Sequence, residues 1–119
     1  MLTLYERLGG ADGIRRIIDD VVANHLSNPA VHPRFAHVAD LGHLKEMVFQ
    51  FFCMGSGGPQ VYCGKDMRSA HRGMNISEQE YLAVMDDILT ALASNNVAED
   101  ARHEVIAILY SLKDEVIRQ

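Results

Sequence analysis

Apolar residues recur every three or four positions along most of this chain, and that spacing constrains the fold more than any other feature of the sequence. Residues 12–26, 41–54, 78–93 and 102–118 each place apolar side chains on one face of a helix. A strand would need a period of two residues, which no segment shows convincingly. The sequence therefore predicts an all-α fold. We expect one domain, residues 1–119, because a chain of this length can bury one core.

Local residues mark where some of these helices begin. Thr3 and Glu6 have the spacing of a capping box, and the Gly9–Gly10 pair follows them. We therefore expect one short turn of helix before the first long helix. Ser77 and Glu80 repeat the capping-box spacing, which predicts the start of the third long helix.

Composition and charge exclude several classes of partner. The formal net charge is −5, and no run of basic residues is longer than Arg15–Arg16, which argues against nucleic acid or an anionic membrane. No apolar stretch is long enough to span a membrane, and Glu6 and Arg7 interrupt the place where a signal peptide needs its apolar core. We expect a cytosolic protein whose partner is a small molecule or another protein.

The segment from Asp66 to Gly73 is hard to explain by packing alone. It offers two turns of helix between two glycines, after a long Gly-rich connector at residues 55–65. His71 lies in this segment, between Met67 and Met74 at helical spacing, and Met74 directly follows the segment. We expect a bound group to hold this segment in place.

Three kinds of bound group have weak support. The phosphate-loop pattern fails because Pro59 stands at its first glycine and Asp66 replaces its Ser or Thr. Met67, His71 and Met74 could together bind Cu(I), although methionines at this spacing are more often core filler. No hydrolase motif is present in the sequence.

Haem has stronger support from the residue types available. It needs an imidazole directed into an apolar slot, aromatic side chains against the porphyrin and a cation near the propionates. His71 supplies the imidazole, and Phe35 and Phe51 supply the aromatics. Lys65 with Tyr62 could meet the propionates at the mouth of the pocket.

Four motifs make a family resemblance specific. They are LYERLGG at residues 4–10, RF at 34–35, GG at 57–58 and MRSAH at 67–71. With these motifs, the chain resembles the group I truncated haemoglobins over essentially its whole length. The resemblance implies a two-over-two helical sandwich, in which the helices bearing Val21 and Val48 pack over the last two long helices. Haem b would lie between the layers.

The resemblance also implies a set of haem-binding residues. His71 matches the proximal iron ligand, and Met67 and Met74 would form soft walls of the haem slot. The full predicted set is Val22, Phe35, Leu44, Met47, Val48, Phe51, Tyr62, Lys65, Met67, His71, Met74, Val84 and Ile88.

The distal side departs from the family pattern. Members usually carry a tyrosine late in the second helix and a glutamine on the facing helix, and both donate hydrogen bonds to bound oxygen. Here Val22 and Leu44 stand at those positions, and Val48 and Phe51 continue an apolar surface. We therefore expect oxygen to be weakly stabilised, because a hydrogen bond to a charged acceptor contributes about 1.5 to 3 kcal/mol.

Met47 offers another explanation of the missing donors. It matches a position where some members carry a histidine that closes onto the iron, and a thioether is a competent axial ligand. Ligation by Met47 and His71 would suit electron transfer or redox and gas sensing. The simpler interpretation, which we favour, is that Met47 only lines the pocket.

Two other histidines carry weaker expectations. His25 lies near Val21 and Val22 and could border the pocket, but its place near a helix end predicts surface exposure. His43 should face outward or toward the haem edge.

The predicted function is reversible binding of a diatomic gas, namely O2, CO or NO, as a monomer or weak dimer. Nitric-oxide dioxygenase activity is an alternative that needs a reductase as partner. A haem-free helical interaction domain is the third class, since sequence alone does not show a cofactor.

Overall fold

The computed structural model describes residues 2–119, and helices dominate them. The elements are α1 (Leu4–Arg7), α2 (Gly10–Ser27), α3 (His32–Phe35), α4 (Leu41–Gly55), α5 (Met67–His71), α6 (Glu78–Ser94), α7 (Glu99–Ser111) and α8 (Lys113–Val116). The described residues form no strand, only one isolated bridge between Ile76 and Ile117. The all-α prediction is confirmed. In the same residues, no helix is both long and apolar enough to cross a membrane.

The long helices form the predicted two-over-two sandwich. Helix α2 packs against both α4 and α6, and α6 packs against α7. Their apolar faces meet in one large core, because each amphipathic helix must bury its stripe against another. The fully buried side chains of that core include Ile14, Ile17, Ile18, Cys53 and Leu92.

Glycines set the junction between α1 and α2. The capping box of Thr3 and Glu6 forms as predicted and begins α1. Gly9 then adopts a left-handed backbone with φ of 97°, which favours glycine. A Cβ atom at Gly13 would lie 2.4 Å from the carbonyl oxygen of Leu8, so only glycine allows α1 to approach α2 this closely.

Helix α4 presents much of its predicted apolar stripe to a cavity beside the packed core. Its start is capped by Asp40, whose carboxylate accepts a hydrogen bond from the His43 backbone N–H at 3.0 Å. Phe49 and Cys53 are its buried residues. The predicted stripe, which includes Leu44 and Val48, is half-buried because it faces a cavity.

The prediction of one continuous last helix is wrong. Helix α7 ends at Ser111, where the Leu112 backbone N–H bonds to the Leu109 carbonyl and tightens the turn. After α8, the chain pairs with the segment that joins α5 to α6. The Gln119 carbonyl accepts hydrogen bonds from the backbone N–H groups of Gly73 and Asn75, at 3.2 and 3.0 Å. The break in the helix lets the chain make these contacts.

The short helix α5 is held partly by the protein itself. Five residues are too few for a stable helix in isolation. Helix α5 packs on α8, and the methionines Met67 and Met74 pack against a second cluster of Ile76, Tyr81 and Val116. The segment bearing His71 is therefore anchored through residues far away in the sequence.

Candidate functional site

A cavity of about 960 Å³ lies between the helices and is walled mainly by apolar side chains. Its volume is at the upper end of the range found for ligand pockets, about 300 to 1,000 Å³. Twelve of the thirteen predicted haem-binding residues line it. These are Phe35, Leu44, Met47, Val48, Phe51, Tyr62, Lys65, Met67, His71, Met74, Val84 and Ile88.

Val22 is the predicted residue that the structure places elsewhere. It is 4% exposed and belongs to the main core cluster. Its neighbour Val21 and, one turn on, His25 are the residues of α2 that line the cavity. Adjacent residues on a helix point about 100° apart. Val22 can therefore match the family position in sequence while its neighbour Val21 is the residue that lines the cavity.

His71 lies at the cavity wall, and its ring is held by its own helix. Its ring nitrogen Nδ1 lies 2.8 Å from the carbonyl oxygen of Met67. A carbonyl can only accept, so Nδ1 carries the hydrogen and Nε2 keeps a lone pair in the neutral ring. The N–H of this ring therefore donates to the backbone of its own helix. The sequence alone does not reveal this acceptor. Such a hydrogen bond fixes the ring of a metal-binding histidine.

The aromatic side chains predicted to contact a porphyrin are held by their neighbours. Phe51 meets Tyr62 edge to face, with ring centroids 5.3 Å apart. The Tyr62 hydroxyl donates to the Lys65 carbonyl at 2.5 Å, and burial raises the pKa of this tyrosine. Because the Tyr62 hydroxyl already donates its proton to this carbonyl, only the Lys65 ammonium of the predicted pair can attract an anion at the pocket mouth.

The expected surface exposure of His25 is wrong. This residue is 6% exposed, and its Nδ1 lies 2.7 Å from an Asp87 carboxylate oxygen. Its ring stacks on Phe35 with centroids 5.2 Å apart and an interplanar angle of 16°. The signal was present in the sequence, since His25 follows Val21 by four residues on the apolar face of α2.

A second polar feature of the wall is the pair formed by Arg34 and Glu80. Arg34 donates to the Glu80 carboxylate through Nε and Nη2, at 2.5 and 2.9 Å, and to the Met74 carbonyl at 2.6 Å. The hydrogen bond from Arg34 lowers the pKa of Glu80 to about 2. This pair ties α3 to α6 and to the residues after α5. Sequence reasoning missed it, because the two partners are 46 positions apart.

The donor set fits haem better than a bare metal ion. No group of three or more His, Cys, Asp or Glu side chains that could hold a metal ion occurs in residues 2–119. The cavity offers an imidazole with a lone pair, a large apolar slot and a cation at the mouth. A haem iron needs one such protein ligand, since the porphyrin supplies four nitrogens.

Comparison with known proteins agrees with this geometry. The model of the bacterial-like globin family matches residues 3–118. A group 1 truncated haemoglobin from Synechocystis is 30% identical over 112 residues, covering 91% of this chain and 90% of that protein. Another, from Tetrahymena pyriformis, is 25% identical over 97% of this chain and 94% of its own length. The crystal structure of a Tetrahymena pyriformis truncated haemoglobin in its Fe(III) form, 24% identical, superposes with a TM-score of 0.95 over 99% of this chain and 100% of that one.

Proposed function

Because this chain belongs to the bacterial-like globin family, as a group 1 truncated haemoglobin, we propose that it holds haem b in the cavity and binds a diatomic gas reversibly. His71 is the iron ligand in this proposal. The observation that carries it is the His71 ring at the cavity wall, whose Nδ1 is bonded to the Met67 carbonyl while Nε2 stays available.

The residues around the cavity have separate tasks in this proposal. Haem, when bound, supplies an iron with one position open to O2, CO or NO. His71 holds the iron through Nε2, and the Met67 carbonyl keeps the ring in the correct tautomer. Phe35 and Phe51 contact the porphyrin, and the Lys65 ammonium faces the propionates at the mouth.

The wall formed by α4 determines how the gas is held. Leu44, Met47 and Val48 offer no hydrogen-bond donor for oxygen. Since a donor to a charged acceptor contributes about 1.5 to 3 kcal/mol, oxygen should dissociate at least about ten times faster than from a relative that has one. CO is less dependent on a donor and should bind normally.

Absorption spectra of the hemin-reconstituted protein test the proposal. We expect a Soret band in the ferric and ferrous states, a shifted band with CO, and an oxygen complex that decays quickly. Absence of hemin uptake would contradict the proposal and favour a haem-free helical interaction domain. The predicted cytosolic location and monomeric or weakly dimeric state belong to the same proposal.

A second candidate function rests on Met47, which lines the same cavity. If its thioether binds the iron opposite His71, the protein would serve in electron transfer or in redox and gas sensing. A low-spin ferric spectrum that is lost in Met47→Ala would support this candidate. A high-spin or water-bound ferric spectrum in the unsubstituted protein would remove it.

Nitric-oxide dioxygenase activity ranks below these two functions. It requires a long-lived oxygen complex and a reductase, and the lack of donors at Leu44, Met47 and Val48 disfavours the former. Mixing the oxygenated protein with NO and measuring nitrate would reveal the activity.

A further inference from the structure

The His25 ring is the polar side chain of α2 at the cavity wall, and its setting differs from that of His71. Helix α2 packs on α4, whereas α5 packs on α8, so the two histidines reach the cavity from different groups of helices. His25 is held between the Phe35 ring and the Asp87 carboxylate. Its position is fixed on two sides.

A chain of hydrogen bonds fixes which nitrogen of His25 carries the hydrogen. The backbone N–H of Ala30 donates to the side-chain oxygen of Asn28 at 3.0 Å, so the amide NH2 of Asn28 must face the other way. That NH2 donates to Asp87 Oδ1 at 3.1 Å. The other oxygen of Asp87 meets His25 Nδ1 at 2.7 Å. A carboxylate only accepts, so Nδ1 donates and Nε2 keeps its lone pair in the neutral ring.

The Nε2 atom of His25 has no hydrogen-bond partner among the described residues. Nε2 also keeps some accessible surface. Among residues 2–119, Gln60 Oε1 is the one fully buried side-chain N or O atom without a hydrogen-bond partner. The ring is otherwise 6% exposed and lines the cavity. Because the ring lines the cavity, a small molecule there can serve as the partner of Nε2.

We propose that His25 is a proton acceptor built into the cavity, which lets the protein bind weak protic acids as their anions. Suitable ligands are hydrogen cyanide, hydrogen sulfide or a hydroperoxide. The inference rests on the proposed haem function and extends it beyond diatomic gases.

The step balances without any oxidant or reductant. The H–X bond of the acid breaks, and the electron pair stays on X, an anion that ferric haem, when bound, would take as a ligand. The proton goes to His25 Nε2, and the Asp87 carboxylate provides the counter-charge for the resulting imidazolium. CO carries no proton and gains nothing from this acceptor.

Paired association rates test the proposal. Stopped-flow mixing would give the rate of hydrogen cyanide binding to the ferric protein and of CO binding to the ferrous protein. In His25→Leu we expect cyanide association to slow by at least about tenfold, since proton transfer by a positioned side chain contributes about 10²-fold or more. CO association should not change. The control is His43→Leu, which removes another cavity-lining histidine and should leave both rates unchanged.

Asp87→Asn tests the hydrogen-bond chain while keeping the imidazole. Asn28 must still donate to the residue at 87, so the new amide would turn its oxygen to Asn28 and its NH2 to His25. The histidine would then accept at Nδ1 and carry its hydrogen on Nε2. We expect cyanide binding to slow in this variant as well, with ¹⁵N NMR of the CO-bound ferrous protein showing the change of tautomer.

Three results would overturn the inference. The first is unchanged cyanide association in His25→Leu together with normal CO binding. The second is an Nε2–H tautomer of His25 in the unsubstituted protein. The third is equal slowing of cyanide and CO association in His25→Leu, which would show that His25 has only a structural role. Failure of the unsubstituted protein to take up hemin would instead overturn the proposed function on which it rests.

Discussion

At the scale of single residues, two cavity histidines differ in the partner of their Nδ1 atom. Both rings donate from Nδ1, His71 to the Met67 carbonyl and His25 to the Asp87 carboxylate. A neutral carbonyl orients a metal ligand, whereas a carboxylate can also balance an imidazolium charge. In our two proposals, these Nδ1 partners suit His71 to hold iron and His25 to accept a proton.

Leu44 allows the apolar wall to be tested by adding a donor. Leu44 lines the cavity and is half-buried, so Leu44→Gln can place an amide there without filling the core. We expect oxygen dissociation to slow by about tenfold or more, because the added hydrogen bond contributes about 1.5 to 3 kcal/mol. Stopped-flow replacement of oxygen by CO measures the rate. Leu44→Met is the control, since it keeps the size and adds no donor, and equal rates in both variants would contradict the prediction.

Val22 gives the opposite expectation, although it too matches a donor position in the family. Val22 is 4% exposed in the packed core, so the larger Val22→Tyr side chain should overpack it. We expect a loss of about 1 to 3 kcal/mol in the free energy of unfolding, measured with urea, and little gain in oxygen retention. A stable variant with slow oxygen dissociation would show that this position does reach the gas.

At the scale of elements, the sequence predicts the features of helices that depend on residues close together in the chain. The capping boxes at Thr3 and at Ser77 both form, because each depends on residues three positions apart. The break at Ser111 could not be read from periodicity, since it serves backbone contacts of Gln119 with Gly73 and Asn75. Pairings across long sequence separations have no local signal.

The candidate site follows the same rule. Residues on apolar helix faces, such as Leu44 and Ile88, were predicted to line the cavity and do so. The polar pairs of the wall were not predicted, because His25 with Asp87 and Arg34 with Glu80 are 62 and 46 positions apart. Only their geometry in three dimensions reveals them.

The Arg34 and Glu80 pair ties the elements around the cavity together, and it should depend on pH. The pKa of Glu80, normally about 4.5, is lowered to about 2 by Arg34, so the pair stabilises the fold above about pH 4.5 and is lost as pH falls toward 2. We expect Glu80→Gln to lower the free energy of unfolding by about 1 to 3 kcal/mol at pH 7. The difference from the unsubstituted protein should shrink toward zero near pH 2.

Glu78→Gln is the matched control for this prediction. Glu78 lies in the same first turn of α6, but its pair with Arg118 is 3.7 Å long and both side chains are more than 70% exposed. Exposed pairs contribute little, about 0 to 1 kcal/mol. Urea unfolding at pH 7 and pH 3 compares the two variants, and equal losses at pH 7 would contradict a special role for Glu80.

At the scale of the whole molecule, the helices surround a large cavity with mainly apolar walls. A cavity of about 960 Å³ borders both the α4 wall and the segment that carries α5. Empty apolar space removes packing contacts from its lining, so a guest that fills the cavity should stabilise the entire chain.

Thermal unfolding should therefore depend strongly on hemin. A ligand present at 100 times its Kd stabilises the folded state by about 2.7 kcal/mol, which corresponds to roughly 10 °C in Tm for a domain of this size. Scanning calorimetry with and without hemin measures this shift. An unchanged Tm would mean that hemin does not bind to the folded state.

The measurement that tests the central claim most directly is a hemin titration of His71→Gly, followed by the Soret band, with and without added imidazole. If His71 is the iron ligand, the variant should bind hemin at least about tenfold more weakly, and free imidazole should restore the ferrous and CO-bound spectra. His43→Gly should behave like the unsubstituted protein. Hemin affinity and spectra unchanged by His71→Gly would contradict the claim.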